Sequence, residues 1–362
     1  MATDTNAQKH FTQSDWIIVA GGSIAVTAAA ITYYSSANSI LAFFTSALAV
    51  TLLAALVGRC VEQLGDRFGP GATGVLQSAL GNLPELFICI FALKAGLVNV
   101  VRAALVGSIL SNLLLVLGLA FFVGGLKHGT QKLGSSRART ILIMMLLSVM
   151  ALAIPSIAHW IHSPAAPHEE TYSDIVSIVL LSLFLLYLPA SLRSKKSTVP
   201  AEEEGTAAPR WHLWLALTLL CAASVAAAFV SDWFVTALEP SMKALHISDA
   251  FSGLVIVAIA GNAIENVVGI QLAAKGQSEY AFSVIINSPL QISLVLAPVL
   301  VIVSQVFGFS SFTLVFSPML VAALFLSIIL AAFISFDGES NWLEGAALMA
   351  IYVVIAAAFW WG

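Results

Sequence analysis

The chain has 362 residues, of which 59% are apolar and only 9% are Asp, Glu, Lys or Arg, with a mean hydropathy of +0.96. A soluble domain carries about 25% charged residues. Fifteen basic and nineteen acidic side chains cannot clothe the surface of a soluble chain this long, so soluble enzymes, secreted binders and disordered proteins are excluded and a bilayer is the expected solvent. A net charge of -4 and a pI near 5.9 give no field that gathers nucleic acid.

The first fifteen residues are polar, and no small-residue cleavage site follows the first apolar run, so no cleaved signal peptide is expected. A helix crosses the hydrocarbon core in about 20 mostly apolar residues. Eleven such runs follow in chain order, at 16–34, 38–58, 73–94, 98–123, 139–159, 173–191, 211–230, 250–274, 280–306, 312–335 and 342–361. They are long and continuously apolar, whereas barrel strands would alternate every second residue. The expected class is an all-α polytopic membrane protein.

Cys60, Cys89 and Cys221 are odd in number, far apart and without CxxC spacing, so they read as apolar fillers. Between the sixth and seventh runs lies SLRSKKSTVPAEEEGTAAPR, in which Lys195 and Lys196 precede Glu202, Glu203 and Glu204. It reads as a solvated hinge. With the amino terminus inside, twelve Lys and Arg fall in inside loops against three, Lys94, Arg102 and Lys243, outside. Basic residues stay on the cytoplasmic side, so the terminus is expected inside and the carboxyl terminus outside.

Sliding the sequence by 180 residues lays GNLPELFICIFALKAG at Gly81 on GNAIENVVGIQLAAKG at Gly261 without a gap. Gly81, Asn82, Glu85, Gly96 and Ser108 then match Gly261, Asn262, Glu265, Gly276 and Ser288. The expected organisation is therefore a tail and first span (1–36), a five-helix repeat (37–191), the charged linker (192–210) and a second five-helix repeat (211–362). An odd number of crossings per repeat would insert the second upside down, the plan of many secondary transporters.

Glu85 and Glu265 alone among the acids fall deep within expected spans, at the same place in each repeat. A carboxylate at that depth costs several kcal/mol unless protonated or paired, and no Lys or Arg falls mid-span to pair with it. Asn82 and Asn262 precede the two Glu by three residues and so share their helix faces. Ser108, Ser111 and Asn112 recur at i, i+3 and i+4 on the fourth span, and Ser288 and Gln291 at i, i+3 on the ninth. A single Ser in a membrane helix usually bonds its own backbone, and the repetition opposite the carboxylates is what favours a site. Pro84 and Pro289 are expected to free the carbonyls of Leu80 and Ile285, or simply to kink their helices. Two carboxylates, amides, hydroxyls and free carbonyls form an all-oxygen set that suits a hard divalent cation such as Ca²⁺. No His lies near the motifs and Cys89 stands alone, which disfavours zinc and copper. Empty, two close carboxylates repel each other, and either a cation or protons relieve the repulsion, so one site opened alternately to each side suffices for exchange.

With GN-x-x-E twice, LVGSILSNLLLVLG at Leu105, SPLQISLVLAPVL at Ser288 and DGESNWLEGAAL at Asp337, the chain resembles the calcium/proton exchanger family of the calcium/cation antiporters from about residue 55 onward. The resemblance implies that Glu85 and Glu265 are the central cation site and that Asn82, Asn262, Ser108, Ser111 and Gln291 line it. It also implies that Glu62, in GRCVEQLGDRFGPG, and its counterpart Glu239 serve the ion pathway, although both also read as solvated helix ends. The second repeat departs from the family pattern. Asn266 stands where a His usually follows the motif Glu, Asn287-Ser288-Pro289 replaces a Gly-Ser-Ser run, and Leu83-Pro84 is closer to the sodium/calcium exchangers. The expected activity is Ca²⁺/H⁺ antiport out of the cytoplasm across the cell membrane, with Na⁺-coupled or broader divalent exchange as the rival. A cation channel would show the same acidic lining, and an intramembrane hydrolase would need a nucleophile or a His set that the sequence lacks. Ca²⁺ and H⁺ are expected as cargo, no cofactor is expected, and assembly into a homo-oligomer stays open.

Overall fold

The computed structural model describes residues 11–35, 38–68, 80–133, 135–194 and 210–361, and only the backbone of 65–68, 135–138, 189–194 and 263–265. The charged linker, with its acidic triplet, lies outside the described residues. Twelve helical segments follow one another: α1 (Gln13–Tyr34), α2 (Ser39–Phe68), α3 (Leu83–Lys94), α4 (Val98–His128), α5 (Ser135–Trp160), α6 (Glu169–Ser194), α7 (Leu213–Leu245), α8 (Asp249–Gly261), α9 (Ala263–Ala274), α10 (Ser278–Val306), α11 (Pro318–Ile334) and α12 (Trp342–Phe359).

Among the described residues, eight helices are long and apolar enough to cross a membrane, and α8 with α9, bent by 63°, make a ninth crossing if taken together. This corrects the eleven crossings expected from apolar runs. The run at 73–94 is broken at Gly81–Asn82, so the described helix α3 has 12 residues. The run at 312–335 spends its first residues on extended chain, and α11, begun by the Ser317 cap and Pro318, has 17. The seventh run is longer than expected, because α7 carries on through Pro240 to a left-handed cap at His246.

The 180-residue offset seen in the sequence recurs in the backbone. α3 and α9 begin and end at matching positions, each entered through an Asn of nearly the same conformation, φ -97°, ψ 16° at Asn82 and φ -101°, ψ 24° at Asn262. Both end at a glycine with positive φ, 81° at Gly96 and 78° at Gly276, a conformation that glycine adopts without strain. Both α4 and α10 widen into a π-turn at the matching place, Ser111–Val116 and Ile292–Leu296. Pro289 precedes the second π-turn and Ile109 the first, so the widening does not depend on proline.

Burial sorts the helices by role. In the most apolar windows of α4 and α10, 78% and 72% of residues are buried, against 17% in α1 and 22% in α12. The helices that carry polar residues are thus screened from lipid by those that carry few, as the cost of a polar group in hydrocarbon requires. α4 crosses α8 with the backbones almost touching, because Gly107 and Gly253 have no side chains: a Cβ on either would fall 2.3 Å from the partner's carbonyl oxygen, that of Leu254 or Val100. Packing of small residues is what lets membrane helices approach so closely.

The connections are tied as well. Gln131–Lys132 and Glu339–Ser340 form a two-stranded antiparallel ladder that joins the loop after α4 to the loop before α12. Before α11 the chain runs extended through buried Phe312, Leu314 and Phe316, whose N–H groups donate to the hydroxyls of Ser304, Ser173 and Ser156 at 3.3, 3.0 and 2.9 Å. Three helices thereby satisfy a segment with no ladder of its own.

Candidate functional site

The two breaks set the geometry. α3 begins at Leu83, and Pro84 sits in its first turn, where an N–H has no helical partner in any case. The expected proline kink is therefore corrected: the chain breaks at Gly81–Asn82, and in the second repeat it breaks at Gly261–Asn262 with no proline nearby. Glu85 and Glu265 both fall in the first turn of the helix that follows the break. The positive end of a helix dipole faces a carboxylate placed there. The Glu265 side chain lies outside the described residues.

Glu85 is wholly buried, and its Oε1 accepts a hydrogen bond from Ser108 Oγ of α4 at 2.5 Å. Against it lies Gly261 of the second repeat, whose Cβ, if it had one, would stand 3.1 Å from Glu85 Cβ. The backbone break of one repeat is thus held against the carboxylate of the other.

A buried amide network links the halves further. Asn112 Nδ2 donates to the carbonyl of Ser108 at 2.9 Å and to Asn262 Oδ1 at 3.1 Å, with Ser288 Oγ at 3.5 Å. Ser288 Oγ donates to Asn262 Oδ1 at 3.3 Å, and Asn262 Nδ2 is held by the carbonyl of Ala258 at 2.9 Å. These bonds fix which end of each amide is the donor and turn Asn112 Oδ1 away from them. That oxygen is buried without a hydrogen-bond partner, an acceptor in a place where one is costly to leave unused. Asn82, the partner of Asn262 in the repeat, lines a small cleft of about 50 Å³ with Gln291, Leu83, Leu86 and Val299.

Seven of the sequence candidates therefore meet at the centre or beside it: Glu85, Asn82, Asn262, Ser108, Ser288, Gln291 and Asn112. Ser111 is buried but faces α12 rather than the amide network, with its hydroxyl opposite that of Tyr352. Glu62 and Glu239 stand apart, half exposed, in ion pairs of 2.7 Å with Arg59 and Lys243 on their own helices. Arg102, counted as an outside loop residue from the sequence, belongs to the first turns of α4 and donates to Thr313 Oγ1 at 3.0 Å. Tyr352 was not legible as part of this neighbourhood, because one Tyr in a helix without repeat counterpart carries no pattern. The bond between Asn112 and Asn262 was half legible, since both were named, but nothing in the spacing pairs a fourth-span amide with an eighth-span one.

Chemically, the centre offers hard oxygen donors and amides in a region closed to lipid, with neither a nucleophile activated by a base nor a group of three or more His, Cys, Asp or Glu able to hold a metal among the described residues. It can bind and release an ion, and it has no means of bond chemistry.

The comparisons with known proteins agree in direction. The family described as "Sodium/calcium exchanger protein" matches residues 38–193 and 215–361. A "Ca(2+)/H(+) antiporter" of Aphanothece halophytica is 35% identical over 333 residues, covering 88% of this chain and 89% of the relative. "Ca(2+)/H(+) antiporter ChaA" of Bacillus subtilis is 36% identical over 322 residues, 88% of this chain and 91% of the relative. The solved structure of native YfkE superimposes with a TM-score of 0.80 at 35% identity, covering 95% of this chain and 99% of that one. Matched on both sides of its linker and along most of each relative, the chain belongs to the sodium/calcium exchanger protein family, on its calcium/proton exchanger branch.

Proposed function

We propose that this membrane exchanger moves Ca²⁺ out of the cytoplasm in exchange for protons, by alternating access at a central site whose charge comes from Glu85 and Glu265. Asn82, Asn262, Ser108, Ser288 and Gln291 complete the oxygen lining, with Ser111 and Asn112 in the turn beside them and Glu62 and Glu239 attracting cations at the surface. The chain would lie in the cell membrane with its amino terminus inside, in eleven crossings, one helix followed by two inverted repeats of five. The relatives' names support the pair of ions. The burial of Glu85 against the Gly261–Asn262 break of the other repeat is the observation that carries the site.

In this reading Ca²⁺ displaces protons from the two carboxylates, and Ser108 and the helix N-termini hold the charge that remains. Protons arriving from the other side restore a neutral site that has no hold on Ca²⁺. The hydroxyls and amides bind in either state and keep the lining in place. Because the site is screened from lipid and joins both repeats at their breaks, a small relative movement of the halves would change which side reaches it.

The test is ⁴⁵Ca²⁺ uptake into proteoliposomes under an imposed pH gradient or an imposed Na⁺ gradient, for the wild type, Glu85→Gln and Glu265→Gln. Uptake driven by the pH gradient and lost in both variants is expected. Asn266, whose Oδ1 is buried without a hydrogen-bond partner, is the specific feature that favours a second reading. Uptake that answers only to Na⁺ would establish that reading, and uptake surviving both substitutions would remove the site.

A further inference from the structure

Tyr352 belongs to the last helix, which contributes no residue to the amide network, and it is 4% exposed. α12 meets the second half of α4 backbone to backbone. A Cβ on Gly345 would fall 2.4 Å from Phe122 N and 2.5 Å from the Gly118 carbonyl, and one on Gly118 would fall 2.8 Å from the Gly345 carbonyl. Contacts of this kind fix how two membrane helices lie together. Tyr352 is seven residues after Gly345, and Ser111 is seven residues before Gly118. Two turns return a helix to the same face. The glycine contact therefore delivers the Tyr352 hydroxyl to Ser111, and the two hydroxyls do face each other.

Ser111 is unusual among the buried serines. Ser173, Ser177, Ser241 and Ser327 each donate to the carbonyl four residues earlier, the ordinary resource of a hydroxyl in a membrane helix. Ser111 Oγ forgoes that bond, and neither it nor the Tyr352 hydroxyl closes a hydrogen bond with any other group. Ser111 opens the π-turn, and the next residue is Asn112, which donates to Asn262 across the repeats. In a π-turn the side chains do not follow the helical repeat, so their direction needs a further constraint.

We propose that Tyr352 is a positioning residue for the central site: its hydroxyl keeps Ser111 on the α12 side of the π-turn and so keeps Asn112 turned toward Asn262 and Ser288. Without it, Ser111 would turn back to its own helix, and the turn that presents Asn112 would lose its register. The inference rests on the reading of the site given above.

The experiment measures KM for Ca²⁺ and maximal rate of pH-driven uptake, with the melting temperature of each purified protein, for wild type, Tyr352→Phe, Ser111→Ala, the double variant and Glu85→Gln. Tyr352→Phe keeps the ring and removes one hydroxyl. Each single variant is expected to raise KM by about two- to ten-fold, the worth of one hydrogen bond, with the maximal rate nearly unchanged. The double variant is expected to be no worse than the larger single one, because both changes break the same link. A wild-type KM in Tyr352→Phe beside an inactive Glu85→Gln overturns the role of Tyr352 alone, as does a melting temperature that falls while KM stays, or single effects that multiply. Wild-type uptake by Glu85→Gln overturns the site itself, whatever Tyr352→Phe does.

Discussion

Gly261 of the second repeat packs against the Glu85 side chain of the first, leaving 3.1 Å to Glu85 Cβ and 3.3 Å to its Cγ from the point where a Cβ would stand. Those distances are tight for carbon against carbon, so an alanine there forces the carboxylate aside by a few tenths of an ångström. Both repeats place a glycine directly before the break, and this contact gives the second one a reason beyond backbone freedom.

Gly261→Ala is therefore expected to leave the protein folded while weakening the bond from Ser108 to Glu85. A hydrogen bond to a charged group is worth about 1.5–3 kcal/mol, so KM for Ca²⁺ should rise about ten-fold or more. Uptake kinetics together with a melting curve check this, and an unchanged KM would mean that the carboxylate position does not govern binding.

Gly107 and Gly253 lead to the opposite outcome. Each faces the partner's backbone, with 2.3 Å left for a Cβ, and backbone cannot move aside as a side chain can. Gly107→Ala and Gly253→Ala should push α4 and α8 apart and destabilise the protein by about 1–3 kcal/mol. Gly21→Ala is the control, since its Cβ would meet only Leu52 Cδ1 at 3.7 Å. Melting temperatures in detergent should fall for the first two and stay level for the third.

The extended segment before α11 gives a prediction about stability without reference to transport. Ser156 accepts from Phe316 N–H at 2.9 Å and donates to the Leu314 carbonyl at 3.1 Å, while Ser173 accepts from Leu314 N–H at 3.0 Å. Alanine at either position strands a buried N–H, at about 1–3 kcal/mol. Ser156→Ala should cost more than Ser173→Ala, because it strands a carbonyl as well, and thermal melts of the two variants compare them directly.

How far the sequence led depended on whether a signal was repeated. Glu85, Asn82 and Ser108 were legible because Glu265, Asn262 and Ser288 stand 180 residues later, and the backbone repeats at the same offset down to the glycines at 96 and 276. The crossing count was less legible. A run of apolar residues does not distinguish helix from the buried extended chain at 312–317, where serines from other helices replace the internal hydrogen bonds. Proline misled for a related reason: Pro84 is compatible with a kink and with a helix start, and only the fold shows that α3 begins there. Contacts between unlike positions of the two repeats, such as Asn112 with Asn262 or Ser111 with Tyr352, have no echo in the chain at all.

Glu62 and Glu239 provide a last test, because they separate attraction at the surface from binding at the centre. Both side chains are 52% exposed and paired with a cation on their own helix, Arg59 three residues before and Lys243 four residues after. Water and salt screen such groups, so their pull on an approaching cation works over about 10 Å at 0.1 M salt and over about 3 Å at 1 M. Glu62→Gln and Glu239→Gln should accordingly lower the initial rate of uptake at Ca²⁺ concentrations below KM in dilute buffer, by about two-fold, and the deficit should disappear as inert salt is added. Glu85→Gln should be equally defective at every salt concentration, because the buried carboxylate is not screened. A loss in Glu62→Gln or Glu239→Gln that persists at high salt would instead place that residue on the route taken by the ion, within reach of the cation as it passes.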